Sequence, residues 1–173
     1  MGERTGRDRT IYAQCRGDTR IVDVQECPEA DLAVASAIVC LIRAFVEERI
    51  ASYEDQKRAR TEPLKKILLD CIKYGENASI DNKDYLRLMG FDGERCKAGD
   101  LWDFCIKKAA SLYPSFVSPF IPVLNGIIEK GTLATRILNS TGIPPDANGI
   151  MTTYRRLCDS LEENKPFSLS MQT

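Results

Sequence analysis

The chain has 173 residues, of which 43% are hydrophobic and 28% charged, with a formal net charge of −1. That length and mix fit one soluble globular domain, or a large piece of one, and exclude a disordered chain or a coiled coil. The balance of 24 basic and 25 acidic residues argues against nucleic acid as the main partner, because phosphate binding needs a basic surplus.

The sequence contains no histidine. Ser-His-Asp and Cys-His nucleophilic machinery and all histidine metal sites are therefore excluded. Seven cysteines occur without a CxxC spacing, so the expectation is free, buried thiols in a reducing cytoplasm. The longest apolar run, Leu32 to Ile42, is too short for a bilayer, which needs about 20 residues. Residues 1–9 lack the apolar stretch of a signal peptide. These features predict a soluble, cytoplasmic protein without a membrane partner.

Residues 1–9 are polar and expected to be flexible. Thr10–Cys15 and Thr19–Glu26 are β-rich runs around Arg16-Gly17-Asp18, which predicts an antiparallel hairpin over 10–26. In its second run Val22 and Val24 share one face, while Ile21, Asp23 and Gln25 share the other. Asp23 and Gln25 are then either a solvated face or the wall of a site.

Pro28 opens a long helix, with Glu29 and Asp31 near its positive end. Leu32, Ala35, Val39, Ile42, Val46 and Ile50 recur at helical spacing, and Ala33, Ile38, Leu41 and Phe45 widen the stripe. This wide apolar face predicts deep burial, with the small Ala33–Ala37 stretch closely approached by another element. The helix is expected to run to the solvated Lys57-Arg58-Ala59-Arg60. Further helices are predicted over 62–74 (capped by Thr61, stopped by Gly75), from Asp81 or Asn82 to Gly90, and over 101–112 (capped by Asp100). Others follow over 120–130 (stopped by Gly131), 133–139 (capped by Thr132, stopped by Gly142) and about 147–162. Residues 163–173 are expected to be a disordered tail. The predicted class is α+β, mostly helical: a short N-terminal antiparallel β-hairpin, then six or seven helices in one domain over 10–162, the helical part being 28–162.

No Walker A, GxGxxG, HExxH or GxSxG motif occurs. What stands out is an order of features. Thr19-Arg20-Ile21-Val22-Asp23-Val24-Gln25-Glu26 is followed directly by the Ala-rich helix from Pro28. Later comes Gly131-Thr132-Leu133-Ala134-Thr135-Arg136. Over residues 10–142 this order resembles the C-terminal part of the glutamate–cysteine ligase / carboxylate–amine ligase family. Its members have a glutamine-synthetase-like fold, a strand reading Thr-x-Glu-x-Arg and a late Gly-[Ser/Thr/Asn]-x-Ala-x-Arg turn.

The resemblance implies ATP- and Mg²⁺-dependent activation of glutamate as an acyl phosphate, followed by attack of an amine. It places Asp23 where the family has its strand metal ligand, one methylene shorter. A carboxylate is the hard ligand that Mg²⁺ takes. Gln25 stands where the family has an arginine that contacts phosphate or carboxylate, and it cannot supply that charge. Arg136 stands at the family's late arginine, either an anion contact or a solvated helix residue. The family's other metal carboxylates lie in an N-terminal half that nothing here supplies. The expectation is a ligase portion that is inactive alone and completed by its N-terminal half or a partner chain. The alternatives are a non-enzymatic helical interaction module and, more distantly, a redox role for the cysteines.

Overall fold

The structure is a computed structural model that describes residues 22–142 and 144–167. Within them the chain is mostly helical. Helix α1 spans Pro28–Val46, α2 Tyr53–Arg58 and α3 Thr61–Tyr74. A 3-10 turn, Gly75–Asn77, leads into strand β1, Ser79–Ile80. Helix α4, Lys83–Leu88, strand β2, Cys96–Lys97, and helix α5, Ala98–Leu112, follow. After the short α6, Pro114–Val117, and a 3-10 turn at Ser118–Phe120 come α7, Ile121–Lys130, α8, Leu133–Thr141, and α9, Ala147–Glu163.

The small sheet is not the expected one. It pairs β1 with β2 antiparallel, Ser79 opposite Lys97 and Ile80 opposite Cys96. Most of the predicted 10–26 hairpin lies outside the described residues, and its last part, Val22–Glu26, forms no strand.

Local chemistry explains most boundaries. The Asn82 carboxamide oxygen accepts from the Tyr85 N–H at 2.9 Å and starts α4. Thr132 Oγ1 accepts from the Thr135 N–H and starts α8, and Asp146 Oδ1 accepts from the Gly149 N–H and starts α9. Each side chain satisfies one of the N–H groups that a helix leaves open. Two expected caps are displaced. Thr61 is the first residue of α3, whose cap position is Arg60. Asp100 lies inside α5, where its carboxylate accepts from the Lys97 N–H.

The long helix expected up to Arg60 stops at Val46. Glu48 adopts φ +53°. The Arg49 N–H then donates to the Ala44 carbonyl at 2.8 Å and the Glu48 N–H to the Phe45 carbonyl at 3.1 Å. This is a Schellman stop, usually made by glycine. Because Glu occupies the position, the composition gave no sign of it.

Helix α1 buries only part of the wide face expected of it: Ala33, Leu41 and, from the small stretch, Ala37 face the core as expected, but most of the larger members of the stripe do not. Ala30, Ala33, Ala37, Cys40 and Ala44 are buried, whereas Leu32, Val39, Ile42 and Val46 are 50–77% exposed. The buried set runs at alternating spacings of three and four and the exposed set at seven, three and four, so both fit a helical stripe. The small side chains let α5, α6 and α7 pack closely on α1. The core holds Leu41 of α1, Ile80, Leu86, Leu101, Cys105, Ile106, Val117 and Leu124. Burying each large member contributes about 1.5–3 kcal/mol. Trp102 packs against the edge of this core. No single helix among the described residues is long and apolar enough to cross a membrane.

Candidate functional site

Three stretches distant in sequence meet beside the start of α1: residues 22–27, the Gly131–Arg136 turn, and the chain after α9. The meeting point is Arg136, on the first turns of α8. Its side chain is 2% exposed. Nη1 donates to Glu26 Oε1 at 2.6 Å and Nη2 donates to Glu26 Oε2 at 3.2 Å. Nη1 also donates to the Phe167 carbonyl at 2.8 Å, and Nε donates to the Gly131 carbonyl at 3.2 Å. The planar fork of arginine matches a carboxylate in this two-pronged way, and a lysine could not reproduce it.

Glu26 is buried as well, and its Oε1 also accepts from the Phe167 N–H at 3.1 Å. A charge taken out of water needs such a full set of partners. Arg136 is therefore a structural clamp. It is neither the expected phosphate or substrate contact nor a solvated helix arginine, because its guanidinium is buried and already engaged.

The chain after α9 completes the junction. Asn164, in the left-handed region at φ +50°, accepts with Oδ1 from the Glu29 N–H at 2.9 Å. It thereby caps α1 from 135 residues away, where Cys27 makes no side-chain cap of its own. The Phe167 ring is buried, with the Arg156 guanidinium 5.1 Å from its centroid. The expected disorder from residue 163 thus does not extend to Asn164 and Phe167, while 168–173 lie outside the described residues.

Asp23 and Gln25 sit on the outer side of this junction. Asp23 is exposed, and its Oδ1 accepts from the Val24 N–H at 2.8 Å. The Gln25 side chain donates to the Asp23 carbonyl at 3.0 Å, while the Gln25 N–H donates to Asp31 Oδ1 at 2.8 Å. Asp23 and Gln25 therefore share a local turn, and Arg136 lies beneath them through Glu26. Val22 and Val24, expected on an apolar face, are 46% and 72% exposed.

No group of three or more His, Cys, Asp or Glu side chains among the described residues is arranged to hold a metal ion. The described residues thus do not form a magnesium site by themselves, and Asp23 offers one carboxylate.

A second polar knot supports the same turn. The Glu76 carboxylate accepts from Thr135 Oγ1 at 2.8 Å and from Thr132 Oγ1 at 3.2 Å. Burial alone would raise the Glu76 pKa. The backbone and hydroxyl hydrogen bonds from Glu76, Thr135 and Thr132 together outweigh it and hold the carboxyl below its usual range. Gly131, at φ +84°, leaves no room for a side chain: a Cβ there would lie 2.8 Å from Glu76 Oε1 and 3.1 Å from Thr135 Cγ2.

Sequence reasoning missed Glu26, Asn164 and Phe167. Glu26 was visible only as the end of a strand pattern, and nothing in the sequence linked it to Arg136. Comparison of the chain with protein-family profiles, with curated proteins and with solved structures returned no match.

Proposed function

We propose that the chain is the C-terminal portion of an ATP-dependent carboxylate–amine ligase of the glutamate–cysteine ligase type, inactive until its N-terminal half or a partner chain completes it. One observation carries this reading. The two stretches that bear the resemblance, Val22–Glu26 and Gly131–Arg136, are locked together by the Glu26–Arg136 pair across 110 residues. In this reading Asp23 supplies one carboxylate to a magnesium site whose other ligands come from the missing part. Gln25 lies beside it as a neutral substrate contact, and Arg136 holds the turn that carries both.

The exposed apolar stripe on α1 and the exposed Val22 and Val24 support the same reading. Exposed apolar patches of this kind mark surfaces that another polypeptide covers, and in this reading the N-terminal half or partner chain covers them.

The test measures ADP release with glutamate, an amine and Mg-ATP, once for the isolated chain and once for the assembly purified from its native source. The expected result is turnover in the assembly and none in the isolated chain. An inert native assembly would contradict the proposal.

A further inference from the structure

The turn after α1, the α2–α3 junction and helix α4 enclose a cleft of about 470 Å³, within the range of small-molecule sites. Ile50, Leu64, Leu88 and Tyr85 give it apolar walls. Its rim is charged. Arg58 is engaged by Asp55 at 3.2 Å. Arg60 and Arg87 also line the cleft and are exposed, and their side chains make no ion pair or hydrogen bond among the described residues.

Among the described residues, Asp84 is the one carboxylate lining the cleft whose side chain has no such partner. Asn82 uses its carboxamide oxygen to cap α4, so its N–H₂ group remains able to donate. Two guanidinium groups and one carboxylate whose side chains have no partner among the described residues thus line the same cleft as the apolar walls.

We propose that this cleft binds a small organic anion: an apolar body in the cleft, with one carboxylate or phosphate held by Arg60 and Arg87. Guanidinium groups pair with either oxyanion through charge-assisted hydrogen bonds. The apolar walls favour a carbon-bearing ligand over a bare inorganic ion. The chain's overall net charge of −1 disfavours a polyanion such as RNA. The proposal uses none of Asp23, Gln25, Glu26 or Arg136, so it stands or falls apart from the ligase reading.

The test is calorimetric titration of the full chain with phenyl phosphate and with benzoate, using inorganic phosphate and benzyl alcohol as the two halves of the ligand. At least one aromatic anion should saturate and bind at least about tenfold more tightly than either half. Arg60→Gln combined with Arg87→Gln should weaken it at least about tenfold, since two charge-assisted contacts are lost. Asp84→Asn should tighten it by about threefold by removing a like charge. All three side chains are exposed, and an unchanged melting temperature confirms the fold in each variant. No saturation with either anion at millimolar concentration would overturn the proposal, as would full affinity in the double arginine variant.

Discussion

Arg136 and Glu26 form a buried two-pronged ion pair, 2.6 Å at its closer contact, between residues 110 apart in sequence. Removing one partner leaves an uncompensated charge in the interior. Arg136→Met and Glu26→Gln should each cost about 3–5 kcal/mol, read by chemical denaturation. Arg136→Lys should recover little, because a single ammonium cannot span both carboxylate oxygens and the Phe167 and Gly131 carbonyls. A loss below about 1 kcal/mol in Arg136→Met would contradict the clamp.

Glu76 makes stability depend on pH in a defined direction. Its folded pKa is lowered, so its stabilisation is present above the unfolded carboxyl range and is lost as pH falls through the folded value. The stability gap between wild type and Glu76→Gln should be open at pH 7 and close in acid. A gap independent of pH would show that the hydroxyl cage does not favour the charged form. Gly131→Ala, which forces a methyl against Glu76 and Thr135 at a positive φ, should cost about 1–3 kcal/mol in the same assay.

Much of the helical scaffold was legible because its signals are local. Thr132 with Gly131 and Gly142 marked α8, and the Asp81-Asn82 pair marked the start of α4, which Asn82 caps. Gly75 marked the end of α3. The misread features depend on distant partners. Helix α1 carries two apolar stripes of equal periodicity, and only the packing of α5, α6 and α7 chooses the small one. The stop at Glu48 uses a residue that ordinarily avoids a positive φ. The role of Arg136 depended on Glu26 and Phe167, neither of which is its neighbour in sequence.

The two stripes of α1 give opposite mutational signatures. Val39→Gln and Ile42→Gln, at positions 52% and 50% exposed, should change stability by less than about 0.5 kcal/mol. Ala33→Leu and Ala37→Leu, at positions 0% exposed, should cost about 1–3 kcal/mol by overpacking. Equal losses at both faces would mean that the exposed stripe is covered within the isolated chain.

The thiols should divide by burial. Desolvation pushes Cys105 up to about 11, with the neighbouring Cys96 adding to the shift. Burial also raises Cys27 and Cys40. Cys158 is exposed. Thiolate is the reactive form, so in a Cys15→Ser background a disulfide reagent at pH 8 should react promptly with Cys158. Cys27, Cys40 and Cys105 should react only on unfolding. Prompt reaction at Cys105 would revive a redox role.

The central claim concerns Asp23, whose exposed carboxylate bonds only the Val24 N–H among the described residues. The most direct measurement is the rate of glutamate- and amine-dependent ADP release by the native assembly carrying Asp23→Ala, with its melting temperature recorded alongside. A lost metal ligand should lower turnover by about 100-fold or more, while an exposed position should leave stability within about 0.5 kcal/mol of wild type. Wild-type turnover in the Asp23→Ala assembly would contradict the account.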